Sequence, residues 1–182
     1  MIFIKLLILI LISDFVTGVV HWWEDAYGNP DWKFWGKIIV IPNIEHHQYP
    51  RKFLKRSFFS RVKLSIMIAI AIGCLVSLFG HFNWEIAFIL AYTSLANEFH
   101  AISHRSDKEN GTLIVILQKI GIVQSRKMHG HHHQSPYNIN YCVLTNYLNP
   151  ILNTIRLWDG IEFLIAKLGI KPTRGNSNRG GY

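Results

Sequence analysis

Ten histidines stand in this 182-residue chain, and four of them, His129, His131, His132 and His133, fall within the single stretch Arg126–Pro136. His129, His132 and His133 lie at i, i+3 and i+4, positions that share one face of a helix and can aim at one point. Imidazole is the commonest neutral protein ligand for transition metals and binds zinc, copper and iron. An expression tag would be terminal and uniform. This cluster is internal, interrupted and followed by structured-looking sequence. The first chemistry the chain offers is therefore metal binding.

Three further groups extend it. Asn97, His100 and His104 fall at i, i+3 and i+7, and two helical histidines four apart are a common grip on one metal. A zinc protease would place Glu directly after the first of them, and Ala101 occupies that position. His46 and His47 are adjacent within Ile44–Pro50, a pattern that on its own reads as a surface loop. His21 lies seven residues after Asp14 and four before Asp25, so the three share a helical face. Asp14 interrupts an apolar run, where an acid is costly and marks a functional position by default. His81 reads as an ordinary loop histidine.

The elements that must position these residues are apolar blocks. Hydrophobic residues make up 49% of the chain, and their concentration in blocks points to the membrane class rather than to a soluble core. The net charge of +8 sits mainly beside those blocks, as on cytoplasmic membrane flanks, which sets nucleic-acid binding aside. Residues 1–20 read as a transmembrane helix, because Asp14 and the lack of a small-x-small site argue against a signal peptide. Residues 64–80 and 84–96 read as a second and a third span, joined in a helical hairpin by the turn Gly80–Asn83 and continuing to His104. Residues 26–63 read as a connector with a turn at Gly28–Asp31. Its basic cluster Arg51, Lys52, Lys55, Arg56, Arg61 and Lys63, interleaved with Phe53, Leu54, Phe58 and Phe59, suits an anionic leaflet.

Residues 113–123 read as a re-entrant or interfacial helix, and residues 151–168 as one amphipathic helix. Cys74 and Cys142 lie in unlike surroundings and are not expected to pair. The expected fold is all-α: a multi-pass membrane protein of about three transmembrane helices plus interfacial helices bearing the histidines. One domain covers residues 1–174, with a disordered tail at 175–182.

The positive-inside rule places the basic connector in the cytoplasm. Every histidine group except His81 then arrives on that side of the bilayer. About eight imidazoles over-supply one ion, so two metals are the natural count. Ligand type alone leaves iron, zinc and copper open.

The assembled pattern resembles the Kua family of membrane lipid desaturases, which includes plasmanylethanolamine desaturase, the bacterial CarF proteins and a plastid fatty acid desaturase. The matching pieces are Asp14 to Trp22, Glu45–His46–His47, Asn97–Glu98–Phe99–His100 through His104, Leu117–Gln118, Arg126–Lys127, and His129 with His132–His133. Ser135–Pro136, Tyr141–Cys142, Leu148–Asn149, Trp158, Glu162, Lys171–Pro172 and Arg174 extend the match almost to the end. The chain departs from the pattern at Met128, where members often carry histidine, at Trp23, where they often carry glycine, and in its extra His131.

The resemblance implies a metal set of His21, His46, His47, His100, His104, His129, His132 and His133. Asp14 and Asp25 would orient imidazoles, or Asp25 would serve as a ligand itself; helix–helix hydrogen bonding is the equal alternative for both. It further implies two iron ions, dioxygen as co-substrate, and an external electron donor such as cytochrome b5 or a ferredoxin. The lipid product would be the vinyl ether of a plasmalogen made from an alkyl ether phospholipid. Desaturation or hydroxylation of acyl chains is the alternative, and a non-enzymatic metal-binding membrane protein is the rival of another class. A bis-histidine haem protein would declare itself by a visible absorption band.

Overall fold

The computed structural model describes residues 2–173, so the expected tail lies outside the described residues. Two helices set the frame. Helix α1 (Ile2–Tyr27) runs 26 residues without proline, and α3 (Phe58–Leu78) runs 21 residues from an N-cap at Ser57, whose hydroxyl accepts the Ser60 N–H. Both are long and apolar enough to cross a membrane, yet only 28% and 17% of their most apolar stretches are buried. A soluble protein would bury such helices. Here Ile4, Ile8, Ile12, Val16 and Val20, one residue per turn, form an exposed apolar stripe along α1.

Between them, residues 36–40 form a π-helical turn that leads into α2 (Ile41–Gln48). Pro42 sits in the first turn of α2, where its missing N–H costs nothing, and the helix stops before Pro50. His46 and His47 therefore stand on a helix and not in the surface loop their adjacency alone predicts. A 3₁₀ turn (Pro50–Lys55) follows and packs on α5.

The expected third span, continuing to His104, is interrupted at Leu95. Helix α4 (Trp84–Ser94) is only 11 residues long, starts at the N-cap Asn83, and gives way at Leu95 to α5 (Ala96–His104). The hydroxyls of Thr93 and Ser94 donate back to the carbonyls of Ile89, Leu90 and Ala91, competing with the helical ladder just before the break. Helix α4 packs against both α1 and α3, and the Lys5–Glu85 ion pair ties its start to α1.

The basic cluster is also divided. Arg61 lies inside α3, its side chain 5% exposed, and donates to the Glu98 carboxylate of α5 at 2.6 and 2.8 Å. Arg105 binds the other Glu98 oxygen at 2.7 Å. Arg61 is thus a buried strut between α3 and α5 and no part of a leaflet-facing surface.

Helix α6 (Asp107–Lys119) opens with a capping box between Ser106 and Glu109 and kinks at Gly111, whose φ of 73° suits glycine. Helix α7 (Arg126–His132) is capped by Ser125, whose hydroxyl accepts the Met128 N–H. The expected amphipathic helix at 151–168 is two helices, α8 (Leu148–Thr154) and α9 (Leu157–Lys167), because Arg156 adopts left-handed φ/ψ between them. Trp22, Tyr141, Cys142, Leu152 and Trp158 form the core that seats α8 and α9 on α1. Cys74 is exposed and Cys142 buried, and neither forms a disulfide. Among the described residues every regular element is helical.

Candidate metal centre

Four helices deliver histidines to one place. Helix α1 carries His21 and Asp25, α2 carries His46 and His47, α5 carries His100 and His104, and α7 carries His129 and His132, with His133 one residue beyond. Their ligand atoms form two groups, His46, His100, His104, His129 and His133 in one, and His21, Asp25, His47 and His132 in the other. Within each group the atoms lie within 4.8 Å of one another.

Helical geometry explains the partition. Residues four apart share a face, so His100 with His104 and His129 with His133 feed the first group, and His21 with Asp25 feeds the second. Adjacent residues diverge by about 100°, so His46 and His47 serve different groups, as do His132 and His133. The expectation that His129, His132 and His133 meet at one point is corrected: α7 lies between the groups and supplies both.

The five-histidine group contains a four-sided ring of Nε2 atoms. His104 lies 3.0 Å from His46, His46 3.1 Å from His133, His133 3.0 Å from His129, and His129 2.9 Å from His104. A neutral imidazole Nε2 carries either one hydrogen or one lone pair, so at most two of these four contacts can be hydrogen bonds at once. A cation at the centre satisfies every lone pair at once. A flat square of 3.0 Å sides has its centre about 2.1 Å from each corner, the length of a metal–imidazole bond. His100 adds a fifth nitrogen, its Nε2 buried and without a hydrogen-bond partner.

The second group is held by the backbone. The Nδ1–H of His21 donates to the Tyr141 carbonyl at 3.1 Å, and that of His132 to the Ile139 carbonyl at 2.8 Å. Each bond fixes the tautomer and turns an unpartnered Nε2 toward Asp25. Asp25 Oδ1 accepts from Asn43 at 2.6 Å and lies 3.0 Å from His47 Nε2. Its Oδ2 has no hydrogen-bond partner and lies 3.3 Å from His132 Nε2 and 3.7 Å from His21 Nε2. Asp25 is therefore placed as a prospective ligand and not only as an orienting group.

Burial disfavours the charged form of the imidazoles in the five-histidine group. Desolvation, aided by His104 and His47, holds His46 down at about 2, and desolvation, aided by His132 and His47, holds His104 at about 3. His129 and His133 are pushed down for the same reason, burial first and neighbouring imidazoles second. Neutral imidazoles with free lone pairs are what a metal requires.

Asp14 stands apart from the imidazoles. It accepts the Leu144 N–H at 2.8 Å, the Thr145 N–H at 3.1 Å and the Thr145 hydroxyl at 2.6 Å. Its action on the site runs through residues 139–145, whose carbonyls hold His21 and His132. Gly18, between Asp14 and His21, lets this segment approach, since a Cβ there would meet Cys142 Sγ at 2.6 Å. Asn97 donates to the Arg61 carbonyl and touches no histidine of the site through that bond. His81 and His131 are exposed and outside both groups.

The sequence offered no local sign of the carbonyls of Ile139 and Tyr141, of Asn43, or of the rings over the site. Phe53 sits 5.4 Å from His46 and 5.7 Å from His100 between ring centroids, and Tyr137 sits 4.9 Å from His47.

The sequence profile of the lipid desaturase domain matches residues 10–175, nearly the whole chain. The chain belongs to the lipid desaturase family. That membership places it among the oxidoreductases, and its clustered histidines could hold metal ions beside two membrane-length helices. Among similar proteins, a "Probable fatty acid desaturase" of Acanthamoeba polyphaga mimivirus is 34% identical over 93% of this chain and 86% of its own length. The chloroplastic fatty acid desaturase 4-like 1 of Arabidopsis thaliana is 32% identical over 90% of this chain, which spans 57% of that protein. The plasmanylethanolamine desaturase of Myxococcus xanthus is 28% identical over 86% of this chain, which again spans 57% of the relative. No solved structure matches this lipid desaturase.

Proposed function

We propose that the chain is an oxygen-dependent, di-iron desaturase of membrane lipids that forms the vinyl ether of a plasmalogen from an alkyl ether phospholipid. The observation that carries the reading is the pair of adjoining ligand groups, one of five imidazoles and one of three imidazoles with a carboxylate. Five nitrogens exceed the usual four of zinc, and a set without thiolates suits redox iron. His46, His100, His104, His129 and His133 would hold one ion, and His21, Asp25, His47 and His132 the other. Bound iron would supply the redox chemistry that couples reduction of dioxygen to removal of two hydrogens from the lipid chain.

The chain's own residues do the rest. Tyr141 and Ile139 carbonyls fix the aim of His21 and His132, and Asp25 offsets cationic charge in the second group. Phe53 and Tyr137 cover the imidazoles and limit access of water. Helices α1 and α3 would cross the bilayer, and α4 with α5 together would form the third span, with the histidines on the cytoplasmic side beside the basic residues Arg51 to Arg56. Two electrons per turnover would come from an external carrier.

A second reading, desaturation of an acyl chain, is favoured by the 34% and 32% identities to the viral fatty acid desaturase and the chloroplastic fatty acid desaturase 4-like 1, against 28% to the bacterial plasmanylethanolamine desaturase. Lipid profiling of cells with and without the chain tests both. Vinyl ethers support the first reading, new acyl double bonds the second. Neither product from an iron-loaded protein supplied with dioxygen and electrons would refute the desaturase assignment. Cysteine labelling that placed residues 55 and 127 on opposite sides of the membrane would refute the topology.

A further inference from the structure

The five-histidine group lies beneath a basic face. Arg51, Lys52, Lys55 and Arg56 are exposed on and just after the Pro50–Lys55 turn, and Arg126 and Lys127 are exposed at the start of α7. Arg51 donates to the His104 carbonyl at 3.1 Å and to Glu109 of α6 at 2.8 Å, so the turn lies directly over the end of α5. Helix α7 packs on α5, which joins it to this face. Lys108, exposed in the first turn of α6, adds to it. The carboxylates present, Glu45, Asp107 and Glu109, are fewer than the cations.

At its centre is a small apolar patch. Tyr49, 62% exposed, and Leu54 line a groove with Arg51, Lys52 and Lys55. Behind the groove, half-buried Phe53 turns its ring onto His46 and His100, both members of the five-histidine group. An apolar centre with a charged rim is the anatomy of a transient protein interface. None of the three elements that carry this face, the Pro50–Lys55 turn, α6 and α7, is a membrane-length helix.

We infer that this face docks a small acidic one-electron carrier protein, and that Phe53 is the ring beneath the docked carrier through which its electron reaches the five-histidine group. The inference rests on the redox reading of the site given above. A lipid headgroup would neutralise the same cations but deliver no electron. Each docking oxidises the carrier by one electron and reduces the centre by one. Two such deliveries, two protons, dioxygen and two hydrogens from the lipid chain together give the double bond and two waters.

The test uses the full iron-loaded chain in nanodiscs of phosphatidylcholine, with a soluble acidic cytochrome b5 domain and a soluble acidic ferredoxin as probes. Carrier affinity is measured across a salt series for the native chain and for Lys55→Glu combined with Lys127→Glu. The double variant should weaken binding by about tenfold at low salt and flatten the salt dependence. Phe53→Leu should keep the affinity and slow reduction of the iron by the carrier in stopped-flow absorbance. Unchanged affinity and salt slope in the double variant would overturn the docking site, and an unchanged reduction rate in Phe53→Leu would overturn the role of its ring. A double variant that lost only its attachment to phosphatidylserine vesicles would make the face a lipid contact and overturn the inference. Iron content and reduction by a small chemical reductant read out the metal centre separately. A chain without iron refutes the desaturase reading, while carrier affinity still decides the docking site.

Discussion

Asp14→Asn tests how α1 controls the second ligand group without touching it. The carboxylate accepts three donors, from Leu144 N–H, Thr145 N–H and the Thr145 hydroxyl. An amide in the same place offers one oxygen. If that oxygen keeps the Leu144 N–H, the amide NH₂ faces Thr145, whose hydroxyl can turn to accept but whose N–H cannot. One buried N–H is left unpaired, costing about 1–3 kcal/mol, and the surviving bonds lose their charge assistance, about 1 kcal/mol each. The total, about 3 kcal/mol, is a large fraction of the stability of a typical domain and falls on residues 139–145. Those residues supply the carbonyls that fix His21 and His132. Loss of such orienting bonds typically lowers metal affinity 10- to 100-fold. Purified Asp14→Asn should therefore unfold at lower temperature in detergent and lose metal from the His21 group first, retaining it in the five-histidine group. Elemental analysis during stepwise chelation, beside thermal unfolding, reads both. Native stability together with native metal retention would refute the reasoning.

Further outcomes follow from the same geometry. His132→Ala should lower bound iron by one equivalent and abolish lipid desaturation, since the second group offers only four ligands; full activity would defeat the assignment. Arg61→Leu leaves Glu98 with Arg105 as its cation and should cost about 1–3 kcal/mol, with a lower unfolding temperature and weaker metal retention in the five-histidine group. In metal-free protein, His46 and His104 titrate at about 2 and about 3 against 6.5 unfolded, so the unfolded chain binds more protons below 6.5. Their neutral burial therefore costs no stability above that pH and destabilises the fold increasingly as pH falls toward 3. Thermal unfolding of chelated protein should show the midpoint falling on acidification from neutral pH; a flat profile would rule out a buried neutral cluster.

Much of the architecture was legible because it is local. Apolar run length marked α1 and α3, and four-residue spacing marked His100 with His104 and His21 with Asp25, since a helix repeats its faces whatever surrounds it. The break at Leu95 inside the third apolar run was not legible because hydropathy does not register hydroxyls that bond back to the helix before it. The break at Arg156 was equally hidden, since an apolar period continues through a left-handed residue.

By itself, the sequence determined the chemistry available: neutral nitrogen donors, no cysteine in the ligand set, one acid beside them, and apolar helices to carry them. Tertiary structure alone decided how the donors are shared. It sent His46 and His47 to different groups, made Asp25 a prospective ligand, and set Asp14 to hold a segment 130 residues away. Spacing along a helix fixes which side chains point together, but which of them meet across helices depends on how the helices pack, and no local pattern encodes that.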